Sequence, residues 1–193
     1  MRLFLSIYPP QEYIRFFADT LKFLDKQTRN IRPIFLEHMH VTLKYVGAEV
    51  SYDHAQEIIA LFKKFEGQFP KPEIQISHIQ FGLELDEDPR HLLAMIKYND
   101  EIEELVKTSH KLVRYLKFKD TFKWKPRKYK EHYINLASLK SSARPSEGKK
   151  IKEMLKGYNL ELPKSFFPEE MYFIESILTD KGPIYRKVDS IKL

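Results

Sequence analysis

The strongest constraint on this chain's fold is the order in which two hydrophobic periods succeed one another. Stretches that alternate with period 2, as strands do, come in pairs between stretches with the 3.6-residue spacing of amphipathic helices. Over residues 2–8, Leu3, Leu5 and Ile7 alternate with Phe4, Ser6 and Tyr8 before Pro9-Pro10, which predicts a strand buried on both faces. Tyr13, Ile14, Phe17, Leu21 and Leu24 then mark a helix over 12–27. Strands are predicted over 31–35, 39–46, 73–85, 91–98, 131–139, 171–178 and 184–193, with helices over 53–69, 99–116 and 146–157. Asn99 is placed to cap the third helix, whose first turn holds Asp100, Glu101, Glu103 and Glu104. The resulting order, β-α-β-β-α-β-β-α-β-α-β-β, favours an α+β fold with mostly antiparallel sheets over a doubly wound parallel one. No low-complexity linker divides it, so residues 1–193 are expected to form a single domain.

With 193 residues, 42% of them hydrophobic, a core of ordinary size needs neither disulfides nor metal. The chain has no cysteine, which excludes a disulfide scaffold, a thiolate zinc site, an iron–sulfur cluster and a thiol nucleophile. What remains is imidazole, carboxylate, hydroxyl and ammonium or guanidinium chemistry. The start, MRLFLSIYPP, is too short for a signal-peptide core, and no run approaches the eighteen apolar residues of a bilayer span. A cytoplasmic protein without membrane contact is expected.

The net charge of +6 is unevenly spread. Residues 84–104 hold eight acids against two bases, and residues 111–130 hold nine bases against one acid. Tyr115, Phe118, Phe122, Trp124 and Tyr129 interleave with those bases. This is either a solvated helix end and loop or a phosphate-tracking patch with stacking rings, as in single-strand nucleic-acid binders. On the second reading Trp124, Arg127 and Lys128 contact substrate, though Trp124 equally suits a core anchor.

Among seven histidines, His40 stands out. In a strand, His40, Thr42 and Lys44 share one face, and an imidazole, a hydroxyl and an ammonium in a row can move a proton and hold a phosphate oxygen. A His-x-Thr triplet alone is weak evidence. His38 fits a cleft rim or surface, His78 falls in an apolar strand pattern, and His54, His91 and His110 have no partner at ligand spacing; none suggests zinc.

The wider text is more specific. Glu37-His38-Met39-His40-Val41-Thr42-Leu43-Lys44-Tyr45-Val46-Gly47 resembles the first signature of the 2H phosphoesterase superfamily, in the branch of RNA 2',3'-cyclic phosphodiesterases long called 2'-5' RNA ligases. The opening Arg2-Leu3-Phe4-Leu5-Ser6-Ile7 and the closing stretch from Tyr172 to Tyr185 are similar to the same family's first strand and last hairpin. The resemblance implies a two-lobed α+β fold with a central cleft, one His-x-Ser/Thr strand per lobe, and acid/base chemistry on a cyclic phosphate or a 2',5' linkage with no metal or cofactor. One His would act as base and the other as acid, while the two hydroxyls hold phosphoryl oxygens. RNA or a cyclic nucleotide would be the partner, and a monomer is expected.

The second signature departs from the pattern. Tyr129-Lys130-Glu131-His132-Tyr133-Ile134-Asn135-Leu136-Ala137-Ser138 aligns in two registers. Counted back from Leu136-Ala137, Tyr133 takes the His position, Asn135 the Thr position and Ser138 replaces an Arg. Counted forward from Tyr129, His132 takes the His position. A β-bulge between His132 and Asn135 would let both face the cleft. His132 is preferred over Tyr133, because imidazole titrates near neutrality and a phenol near pH 10. The catalytic set expected is thus His40, Thr42, His132 or Tyr133, and Asn135, with Lys44 on substrate. The alternative is a catalytically impaired member that binds RNA or nucleotide.

Overall fold

Residues 1–83, 86–116, 131–156, 162–180 and 182–193 are described in a computed structural model of the chain. Strand β1 (Leu3–Ile7) has every side chain buried, as its unbroken apolar pattern requires. Helix α1 (Gln11–Gln27) buries Tyr13, Phe17, Leu21 and Leu24. After β2 (Ile31–Pro33) and a short 3-10 turn at Leu36–His38 come β3 (Val41–Gly47), α2 (Tyr52–Lys63), β4 (Ile76–Phe81) and β5 (His91–Ile96). Helix α3 (Asp100–Tyr115) begins at Asn99, whose side chain accepts from the Ile102 amide at 2.8 Å, a cap contributing about 1 kcal/mol. Then follow β6 (Tyr133–Leu139), α4 (Pro145–Lys156), β7 (Glu170–Thr179) and β8 (Gly182–Lys192).

The α+β expectation holds: helices flank a curled, wholly antiparallel sheet ordered β4-β5-β6-β3-β1-β7-β8, with β2 on β6. The sheet has a seam. Strands β3 and β6 meet through one pair alone, Val41↔Ile134, whereas their other neighbours pair with them over three to five positions. One half is therefore β3-β1-β7-β8 and the other β4-β5-β6 with β2. The helix 53–69 expected from the sequence stops at Lys63, and Phe69 instead stacks on Phe62, which also meets Phe173 edge-on. Full burial of one such ring is worth about 1.5–3 kcal/mol, so these contacts fasten α2 to the sheet.

Two details fix the site's frame. At Gly148, near the start of α4, a Cβ would lie 2.0 Å from the Pro89 carbonyl oxygen, so only glycine lets the helix approach the strand leading to His91 so closely. At Gly182, φ is +119° and a Cβ would meet the Arg32 guanidinium at 2.4 Å. Among the described residues no helix is long and apolar enough to cross a membrane.

Candidate active site

The seam sets the site. Val41 and Ile134, paired across it, are both buried on the helix side. Strand alternation turns His40 and Thr42 on one strand, and Tyr133 and Asn135 on the other, to the opposite, open side. The two three-residue stretches His40-Val41-Thr42 and Tyr133-Ile134-Asn135 thus face one another with their middle residues in register.

His40 is half-buried among rings. Phe4 stacks on it at 5.0 Å, and Tyr8 and Tyr185 approach at 5.6 and 5.2 Å. This apolar wall removes water and lowers its pKa from 6.5 to about 4, although the His38 carbonyl works against the shift. The ring is neutral at pH 7. Its Nδ1–H donates to the His38 oxygen at 2.6 Å, because a carbonyl can only accept, and the lone pair therefore lies on Nε2. His40 and Thr42 line a pocket of about 290 Å³ with Arg2, Phe4, Tyr45, Ser176, Leu178, Pro183 and Tyr185. The Arg2 guanidinium lies over the Tyr45 ring at 5.5 Å and provides positive charge at the mouth.

Lys44 does not share this face, and the expected His40-Thr42-Lys44 row is corrected. The β1–β3 register advances from Ser6↔Thr42 to Leu5↔Lys44, so β3 bulges between Thr42 and Lys44. A bulge reverses the alternation beyond it. Lys44 is only 4% exposed, and Tyr45 takes its place in the pocket.

The second half-site also differs from expectation. Tyr133, Ile134 and Asn135 pair without interruption with Met95, Ala94 and Leu93, so there is no bulge between Tyr133 and Asn135. The register shift falls one step later, where Leu93↔Asn135 is followed by Leu92↔Ala137. His132 consequently points to the helix side, its Nε2 3.6 Å from a Glu103 carboxylate oxygen on α3. The expectation that His132 and Asn135 face the cleft together is thereby overturned, and Tyr133 holds the position across from Thr42. Ser138, where the resemblance expects Arg, pairs with Arg32 of β2, whose guanidinium reaches the β7–β8 turn at Gly182.

Asn135 carries a neighbour the sequence reading discarded. Its Nδ2–H donates to Nδ1 of His91 on β5 at 3.3 Å. Trp124, Arg127 and Lys128 lie outside the described residues. The pocket's Arg2, Tyr45, Ser176 and Tyr185 were also missed as site residues; period-2 alternation from Phe4 and across the last hairpin was the available signal.

Compared by sequence, the chain matches no family model and no curated protein. Compared by structure, it aligns along its whole length with TT0787 of Thermus thermophilus, at TM-score 0.78 and 19% identity, covering 98% of that chain. E. coli LigT in its apo form aligns over 99% of this chain and 96% of its own, at TM-score 0.64 and 18% identity. LigT complexed with 3'-AMP aligns over 100% and 97%, at TM-score 0.67 and 14% identity. The chain has the LigT fold. That fold agrees with the 2H phosphoesterase resemblance of the first signature.

Proposed function

We propose that this protein is a phosphodiesterase that hydrolyses 2',3'-cyclic phosphate ends of RNA or nucleotides by acid/base catalysis. The observation that carries the reading is the neutral His40 ring, held by the His38 carbonyl with its Nε2 lone pair available beside the Thr42 hydroxyl in an open pocket. A base must be unprotonated at working pH and within hydrogen-bond reach of the attacking water, and His40 meets the first condition through its aromatic surroundings. Thr42, the Tyr133 phenol and the Asn135 amide offer donors to phosphoryl oxygens around the seam. Arg2 adds the charge that an anionic substrate needs at the pocket mouth. The fold supports a nucleotide as ligand, since LigT was crystallised with 3'-AMP and with ATP.

The replacement of the second imidazole position by Tyr133 favours one other reading, a nucleotide- or RNA-binding protein without turnover. Purified protein incubated with each 2',3'-cyclic nucleotide separates the two. Steady release of a nucleoside monophosphate, abolished in His40→Ala, is the expected result. Saturable binding with no product would sink the enzymatic reading in favour of the binding one.

A further inference from the structure

The acid side of the cleft lacks an imidazole in β6, yet one lies on the next strand. Strands β3, β6 and β5 are consecutive in the sheet. The Val41↔Ile134 pair sets His40 across from Asn135, and Asn135 touches His91 on the far side. Leu93↔Asn135 and Met95↔Tyr133 are direct pairs, so His91, two residues before Leu93, faces the same open side as the β6 half-site. Asn135 thus sits between two imidazoles on strands two apart, about 10 Å at the backbone from the usual inter-strand spacing. A phosphate with hydrogen-bond partners on opposite sides spans such a gap.

The two rings hold opposite tautomers. His40 Nδ1 donates to a carbonyl, which leaves Nε2 able to take a proton. His91 Nδ1 accepts from an amide N–H, which puts the proton on Nε2. Resting on the phosphodiesterase reading above, we propose that His91 is the second proton carrier, donating from Nε2 to the departing ribose oxygen while Asn135 orients it.

In that step the attacking water gives a proton to His40 Nε2 as its oxygen bonds to phosphorus. The bond from phosphorus to one ribose oxygen breaks, the electron pair stays on that oxygen, and the oxygen takes the proton of His91 Nε2. The products are a phosphomonoester and a free ribose hydroxyl; exchange with solvent then returns a proton to His91 and removes one from His40. His91 donates as the imidazolium. Among the described residues the buried Asn135 Oδ1 has no hydrogen-bond partner, so a turn of the amide lets it accept Nδ1–H once the ring is charged. The His91 pKa lies below its ordinary value, because burial lowers it most and Arg90 adds to that while the Asp86 carboxylate opposes it, and β6 presents the uncharged Asn135 and Ser138. An anionic phosphodiester brought beside the ring counters that lowering and favours the imidazolium.

The test is the pH profile of kcat/KM for 2',3'-cyclic nucleotide hydrolysis by wild type, His91→Ala, His91→Gln and Tyr133→Phe. Both His91 variants should lose ~10²–10⁴ in rate and the alkaline limb of the profile, while Tyr133→Phe keeps that limb. Gln preserves a hydrogen-bonding partner for Asn135, so a His91→Gln enzyme near the wild-type rate would reduce His91 to a positioning residue and overturn the proposal. An alkaline limb that survives in His91→Ala, or vanishes only in Tyr133→Phe, would overturn it equally. Wild type without turnover would instead overturn the phosphodiesterase reading, and this role with it. One readout needs no variant: the His91 Nε2 nitrogen resonance of wild type should shift when 3'-AMP is titrated in, and an unmoved resonance contradicts contact with the substrate.

Discussion

Acid should destabilise this protein through His40 by an amount that follows from the ring's surroundings. Burial against Phe4, Tyr8 and Tyr185 lowers the pKa from 6.5 to about 4 in the folded chain. In the unfolded chain the ring is in water and titrates near 6.5. The unfolded state therefore binds the proton first as pH falls. The stability that goes with a neutral His40 is complete above about pH 6.5 and is lost progressively down to about pH 4. A gap of roughly 2.5 units, at 1.36 kcal/mol each, makes the loss about 3 kcal/mol, a large share of the 5–15 kcal/mol typical of a domain. Urea unfolding of wild type and His40→Gln at pH 7, 5.5 and 4 isolates it, because every other group titrates alike in both proteins. Wild type should lose about 3 kcal/mol more than His40→Gln between pH 7 and pH 4. Equal losses in the two proteins would show that the aromatic wall does not desolvate the ring, and the assignment of His40 as a neutral base would lose its physical ground.

Replacing His132 by Ala should leave the shape of the kcat/KM pH profile unchanged and cost about 1 kcal/mol in urea melts, since its ring contacts Glu103 on the helix side of the sheet. Gly148→Ala should destabilise by about 1–3 kcal/mol in the same melts, because its Cβ would run into the Pro89 backbone oxygen, and it should slow turnover by displacing the strand that carries His91. Reversing charge at Arg127 and Lys128 should weaken binding of a short single-stranded RNA in fluorescence anisotropy and flatten its salt dependence, with little effect on a cyclic mononucleotide. An unchanged salt slope would reduce the 111–130 window to a solvated surface.

Local chemistry made most of the fold readable. The period-2 and period-3.6 patterns, the proline pair after β1, the Asn99 cap and the acidic first turn of α3 each act over a few residues, and the structure repeats the predicted element order. The ends of α2 and β4 were overextended because Phe65, Phe69 and Leu83 continue an apolar pattern after the backbone has left the helix or strand.

The first half-site was legible for the same reason, since two residues in one strand share a face unless a bulge intervenes. Bulges decided the rest. The shift between Thr42 and Lys44 turned a lysine inward, and the absence of one between Tyr133 and Asn135 turned His132 toward α3. Whether a strand bulges depends on its pairing with neighbours far away in the chain, and a single sequence carries no record of that register. His91 lies farther still from legibility: 44 residues separate it from Asn135, and only the sheet order β3-β6-β5 brings the two together. By itself, the sequence determined which elements form and that His40 and Thr42 sit side by side, because those outcomes rest on contacts a few residues apart. Tertiary structure alone decided what stands opposite them across the seam, because that outcome rests on strand pairing.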